Sequence, residues 1–184
     1  NFIYKKNSPT IVKKRYVDNV SNSKVFGIYN INDEMLNKKD ETIFNKLLKK
    51  EIKRNDLVIV SDYGHGLISK KSANLICKDS KFLALNAQIN ASNIGYHTIR
   101  NYNNFNTLII NEKEIRHEMR DKISKLEILI SNLSKEKNIK NLIVTMGGKG
   151  SVLYNKTKNK YFYVDAYAHQ IVDKVGAGDT MLSL

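Results

Sequence analysis

The residues best suited to chemistry stand at the end of the chain, Gly176-Ala177-Gly178-Asp179 followed by Thr180-Met181-Leu182-Ser183-Leu184. Small residues at 176–178 leave backbone N–H groups bare, so an anion can approach them closely. A helix expected from Thr180 to Leu184 would add its own first N–H groups, which lack intrahelical partners and stabilise negative charge. A carboxylate beside such an anion is repelled by it, so Asp179 makes chemical sense as a group that takes a proton or holds a cation. The same residues also fit a glycine turn capped by aspartate. Both readings stay open on these residues alone.

Four further groups carry chemical potential. Asn111 and Glu114, three apart, fall on one face of a helix's first turn, where they fit a capping box and could also serve a ligand. Met146-Gly147-Gly148-Lys149-Gly150-Ser151 is a glycine turn, but Lys149 is followed by Gly150 rather than Ser or Thr, so it is not a Walker A loop. Lys13 and Arg15, two apart, point to one face of a strand, to grip an anionic substrate or to line a wet surface. His65, in the loop Tyr63-Gly64-His65-Gly66, could act on a substrate or be a plain loop histidine.

The elements that must position these residues are legible as alternating patterns. Residues 10–18 and 24–31 read as two strands separated by an Asn/Ser turn. Ile43, Phe44, Leu47, Leu48 and Ile52 recur at helical spacing within 41–54. Continuous apolar runs at 56–62, 81–86, 107–110 and 141–145 are expected to be buried parallel strands. Each ends in polar residues: Ser61 and Asp62, Asn86 and Gln88, Asn111, Thr145. Ser69 can cap a helix carrying Ala73, Ile76 and Cys77, and 125–137 repeats leucine and isoleucine at helical spacing. Residues 90–106 lack periodicity and read as loop or short helix, and 151–154 with 161–164 as a hairpin. Strands alternating with helices, with polar loops at strand carboxyl ends, give an α/β parallel-sheet fold whose ligands bind at those ends.

The 184 residues suffice for one sizeable core. A net charge of +13 invites a nucleic-acid or membrane partner. The lysines are nevertheless spread along the chain, with no basic helix interleaved with aromatics, so a solvated basic surface and no nucleic-acid partner are expected. Cys77 is the single cysteine, which excludes an intrachain disulfide, suits a reducing compartment, and reads as a buried structural thiol. No apolar run reaches membrane-span length and no signal peptide opens the sequence, so a soluble cytoplasmic protein is expected. The sequence begins without Met and stops inside the helix that Asp179 needs, as expected of a piece of a longer polypeptide.

Asp173-Lys174-Val175-Gly176-Ala177-Gly178-Asp179, preceded by Val144 to Ser151 and by Asn111-Glu112-Lys113-Glu114, resembles the PfkB (ribokinase-like) carbohydrate kinases in motif content, order and spacing. Within that family, Ser61 to Gly66 and Pro9 to Arg15 look most like the heptose-7-phosphate kinase module of ADP-heptose synthases. The resemblance implies a three-layer α/β/α fold with a mostly parallel central sheet and a small β lid from the N-terminal strands. On that division residues 1–35 are lid-associated and 36–184 are a nucleotide-binding core truncated at its C-terminus.

It further implies ATP-dependent phosphorylation of D-glycero-D-manno-heptose 7-phosphate at C1. Asp179 would be the base, Gly176, Ala177 and Gly178 the anion hole, and Asn111 with Glu114 the organisers of Mg²⁺ and its waters. Thr145, Gly147, Gly148 and Gly150 would form the nucleotide-binding turn, with Asn86 beside them standing where the heptose kinases carry an acidic residue. Lys13 and Arg15 would favour a phosphorylated sugar. A homodimer through the first strands and a fused or separate nucleotidyltransferase are the partners it suggests. The alternatives are a kinase for another sugar or nucleoside, and a non-catalytic nucleotide-binding module fused to a nucleotidyltransferase.

Overall fold

A computed structural model describes residues 2–20, 23–89, 98–167 and 176–183. The elements follow the order β1 (Val12–Val17), β2 (Lys24–Asn30), α1 (Lys38–Ile52), β3 (Leu57–Asp62), α2 (Lys70–Asp79), β4 (Phe82–Ala87), β5 (Thr107–Asn111), α3 (Glu112–Met119), α4 (Leu126–Lys137), β6 (Asn141–Thr145), β7 (Ser151–Asn155), β8 (Lys160–Val164) and α5 (Ala177–Ser183). Strands β3 to β8 form one sheet in sequence order. The first four run parallel, each crossover carrying helical chain, and β7 and β8 close the sheet as an antiparallel hairpin. This is the mostly parallel α/β architecture expected, and β1 and β2 pair antiparallel in a separate two-stranded sheet.

The core lies on one face of the six-stranded sheet. Leu83, Leu85, Leu108, Ile110, Leu142 and Val144 alternate onto that face, where they pack in one cluster with Ile76, Ile115, Leu129, Ile130 and Leu133 of the helices. Each such fully buried side chain contributes about 1.5–3 kcal/mol. Side-chain caps set the helix starts that matter here. The Asn37 and Ser69 side chains accept from backbone N–H groups three residues on, and Ser69 also donates to Glu41, tying α2 to α1.

On the opposite face, Ala84 and Ile109 pack under Leu182 of α5, with Ile143 and Met181 alongside. Among the described residues α5 is the helix on that side, so the expected second outer layer is represented there by this one helix. One expectation needs correcting: β3 is not buried on both faces. It is the terminal strand of the sheet, α5 sits over β4 and β5, and Leu57 and Ile59 remain 51% and 48% exposed. Among the described residues no helix is long and apolar enough to cross a membrane.

The small sheet is anchored to the core by backbone. The Leu36 N–H donates to the Gly66 carbonyl at 3.2 Å. Gly66 has φ +78°, and a Cβ there would stand 2.0 Å from the Glu34 carbonyl oxygen, so only glycine admits this approach. Lys5 Nζ donates to the Asn32 carbonyl at 2.7 Å, which ties the segment before β1 to the stretch after β2.

Candidate active site

Polar residues gather where four parallel strands end. In register, Ser61 of β3 pairs with Asn86 of β4, and Asn111 of β5 with Thr145 of β6. The carboxyl edge of the sheet therefore brings the separate sequence motifs into one row, the position at which open α/β sheets bind ligands.

Helix α5 adds Asp179 to this row. The helix begins at Ala177, not at Thr180 as the sequence suggests, because Gly176 serves as its cap. Gly176 takes φ +84°, and its carbonyl accepts from the Thr180 N–H at 2.8 Å and the Thr180 hydroxyl at 2.9 Å. Gly178 and Asp179 thereby fall inside the first turn. Asp179 accepts three hydrogen bonds: Ser61 Oγ and Gln88 Nε2 donate to Oδ1 at 3.2 and 3.1 Å, and Tyr63 Oη donates to Oδ2 at 3.0 Å. Partial burial, then the bond to Asp179, raises the Tyr63 pKa and keeps the phenol a donor. Residues 168–175, including the Asp173-Lys174-Val175 part of the motif, lie outside the described residues, as does the Ala177 side chain.

Asn86 lies under this helix start. It is 3% exposed, its Nδ2 donates to the Ile109 carbonyl at 3.0 Å, and a Cβ on Gly178 would stand 3.6 Å from the same nitrogen.

Asn111 and Glu114 form the full capping box of α3. Asn111 Oδ1 accepts from the Glu114 N–H, and Glu114 Oε2 accepts from the Asn111 N–H, both at 2.9 Å. Glu114 Oε1 also accepts from the Ile89 N–H at 3.1 Å, which ties the end of β4 to the start of α3. A backbone donor on each oxygen thus fixes the orientation of this buried carboxyl group. Among the described residues no group of three or more His, Cys, Asp or Glu side chains is placed to ligate a metal. Both Glu114 oxygens already accept from backbone N–H groups, so a cation at this pair would be held through water.

The Thr145–Gly150 turn is a short 3-10 segment, Gly147–Lys149, closed by Gly150 N–H to Gly147 carbonyl at 3.0 Å and Met146 N–H to Gly150 carbonyl at 2.8 Å. Gly147 and Gly150 both take positive φ. Gly148, between them, lies within the 3-10 segment.

The basic pair separates. Lys13 is half-buried and its Nζ lies 3.0 Å from His65 Nε2 and 5.5 Å from the centre of the Tyr63 ring. Arg15 stays exposed on the same strand. His65 Nδ1 in turn lies 2.7 Å from Asp33 Oδ1. Beside these residues opens a cavity of about 290 Å³, lined among others by Ser61, Tyr63, His65, Lys5, Ser8 and Asn32. Asp62, at the foot of the loop, is buried and accepts from the Gly64 N–H at 2.9 Å and the Tyr102 hydroxyl at 2.8 Å.

Tyr63, Gln88 and Asp33 are site residues that the sequence reading did not single out for these roles. The first two carried a signal, being polar residues just past strand ends. Asp33 carried none, since it meets His65 only through the docking of the small sheet.

A row of polar strand ends, a capped helix bearing Asp179 and a small antiparallel sheet over the edge can be compared with known proteins as a unit. The model of the pfkB family carbohydrate kinases matches residues 2–184. The chain belongs to the pfkB family of carbohydrate kinases. Over 129 residues it is 32% identical to the Bifunctional protein HldE of Campylobacter concisus, a match covering 68% of this chain and 26% of that protein. The fold is similar to that of ribokinase from Giardia lamblia, with a TM-score of 0.67 and 17% identity over 96% of this chain and 55% of the other. It is also similar to Arabidopsis thaliana ribokinase complexed with ribose and ATP, with a TM-score of 0.63 and 19% identity over 95% and 54% of the two chains. This pfkB-family chain thus spans about a quarter of the HldE relative and about half of the ribokinases.

Proposed function

We propose that this chain is the phosphoryl-transfer portion of an ATP-dependent sugar-phosphate kinase, with D-glycero-D-manno-heptose 7-phosphate as acceptor at C1. The observation that carries the reading is Asp179, a carboxylate fixed by three donors in the first turn of α5, above the carboxyl ends of β3 and β4. Phosphoryl transfer demands positioning and charge stabilisation more than covalent chemistry from the protein. The roles follow from that demand. Asp179 takes the proton of the attacking hydroxyl, and the backbone of Gly176, Ala177 and Gly178 faces the transferring group. Thr145, Gly147, Gly148 and Gly150 support the nucleotide. Asn111 and Glu114 would hold Mg²⁺ through water, and the ion would supply neutralisation of the phosphate charge. The likeness to the heptose-7-phosphate kinase module supports a heptose phosphate as acceptor, and the relatives' designation as bifunctional supports a second activity in the parent polypeptide, for which the proposal is a nucleotidyltransferase.

The test is Asp179→Asn in the full-length parent protein, assayed for ATP consumption with heptose 7-phosphate and for ATP binding. A positioned base contributes about 10²–10⁴-fold. Turnover is expected to fall within that range while ATP affinity is retained. Unchanged turnover would remove Asp179 from the chemistry and, with it, this reading.

A further inference from the structure

The contact between Lys13 and His65 joins the small sheet to the core at the site, and its polarity is set by a third residue. Asp33 Oδ1, as a carboxylate, can only accept, so His65 Nδ1 carries the hydrogen and Nε2 presents a lone pair to the Lys13 ammonium. The His65 side chain is 9% exposed and wedged between the two. A direct Lys–Asp pair would spend the ammonium's charge on the carboxylate. A neutral imidazole placed between them fixes the flexible lysine side chain while leaving its charge available to a ligand. An ammonium has three N–H donors, of which His65 takes one, and the Tyr63 ring face attracts the cation without consuming a donor.

Tyr63 also sets the scale of what fits. Its ring lies 5.5 Å from Lys13 Nζ, and its hydroxyl bonds Asp179 at 3.0 Å. A fixed cation and a base therefore stand one tyrosine apart, an arrangement suited to a molecule with an anionic group at one end and a reacting hydroxyl at the other. From this we propose that Asp33 and His65 are positioning residues that hold Lys13 as the phosphate-binding cation, making the site selective for a sugar phosphate monoester over the free sugar. The proposal rests on the kinase reading and assigns its selectivity to residues on three segments: β1, the stretch after β2 and the loop after β3.

The test is calorimetric binding to the full-length parent protein, with heptose 7-phosphate and unphosphorylated heptose as ligands. The variants are Lys13→Met, His65→Leu, His65→Gln and the Lys13→Met/His65→Leu pair. The wild type should bind the phosphate ester at least about tenfold more tightly than the free sugar, the scale of one charge-assisted contact. Lys13→Met and His65→Leu should each remove most of that preference. The double variant should lose no more than either single one, because the two residues act as a unit. His65→Gln should keep most of the preference, since its amide oxygen can still accept from the ammonium. Equal wild-type affinity for the two ligands, additive losses, or an unaltered preference in His65→Leu would each overturn the proposal. Should His65→Leu not fold, the same comparison of His65→Gln with His65→Gln/Lys13→Met decides it. Turnover measured alongside separates the two readings: binding that follows this pattern without ATP consumption sinks the kinase reading alone, whereas turnover indifferent to the phosphate sinks this one.

Discussion

Tyr63 donates its hydroxyl hydrogen to Oδ2 of Asp179 at 3.0 Å, a bond between residues 116 apart in the chain. It holds one carboxylate oxygen while Ser61 and Gln88 hold the other, so the carboxylate plane is fixed from two sides. Hydrogen bonds to charged groups are worth about 1.5–3 kcal/mol, and the two remaining donors would keep part of the alignment. Tyr63→Phe is therefore expected to lower kcat by roughly tenfold, with the KM for ATP unaltered. Steady-state kinetics would check this, and an unchanged kcat would mean that Asp179 is oriented without Tyr63.

Much of this site was legible in the sequence because strand ends are. The β3 to β6 boundaries follow from apolar runs stopped by polar residues, and the Asn111–Glu114 capping box from residue types three apart. The start of α5 was not, because its placement depends on Gly176 adopting a left-handed conformation that lets its carbonyl reach Thr180. The exposure of Leu57 and Ile59 was not either: an apolar run says that a strand is buried somewhere, and only sheet order says which strand is terminal. The Asp33–His65–Lys13 chain was invisible for a third reason. Its members lie on segments with no shared periodicity, and a backbone contact at Gly66 brings them together.

Gly147 and Gly150 offer a matched test of the nucleotide turn. Both sit at positive φ, where an alanine is strained, and Gly150, with ψ −138°, lies outside the left-handed helical region as well. A Cβ on Gly147 meets nothing within 4 Å, whereas one on Gly150 would lie 2.0 Å from the Val164 carbonyl oxygen. Gly147→Ala should lower the melting temperature by a few degrees, at about 2–4 °C per kcal/mol for a chain of this size. Gly150→Ala should lower it at least about twice as far, because β8 must move as well. Equal shifts in thermal unfolding would show that the hairpin yields without cost.

Asp121 supplies a pH-dependent contribution between α3 and α4. Hydrogen bonds from the Ser124 side chain, then from the backbone N–H groups of Ser124 and Ile123, hold its carboxyl down at about 2, below the ordinary 3.8. A folded-state value below the unfolded one means that the carboxylate stabilises the fold above the ordinary value, and that this contribution fades as pH falls toward about 2. Asp121→Ala should melt below the wild type at neutral pH, and the gap should close on acidification through that window. A gap independent of pH would assign the effect to packing instead of charge.

Tyr102 and Asp62 make a buried pair that supports the loop carrying Tyr63 and His65. Tyr102 is fully buried, Asp62 is 5% exposed, and the phenol donates to Asp62 Oδ2 at 2.8 Å. Burial, then the adjacent carboxylate, pushes the Tyr102 pKa far above its usual range, so the hydroxyl remains a donor throughout. Tyr102→Phe leaves a buried carboxylate oxygen without this donor, at a cost of about 1–3 kcal/mol. The melting temperature should fall by roughly 5 °C. Adding Asp62→Asn to Tyr102→Phe should recover part of that loss, because an amide buried without one partner is penalised less than an anion. The Gly64 N–H is held by the other Asp62 oxygen at 2.9 Å, so Tyr102→Phe should also loosen the Tyr63–Gly66 loop. Amide exchange at Gly64 is the reporter: faster exchange in Tyr102→Phe, slowed again in the double variant, is the expected pattern. A Tyr102→Phe protein with wild-type melting and wild-type exchange at Gly64 would show that Asp62 holds the loop without Tyr102.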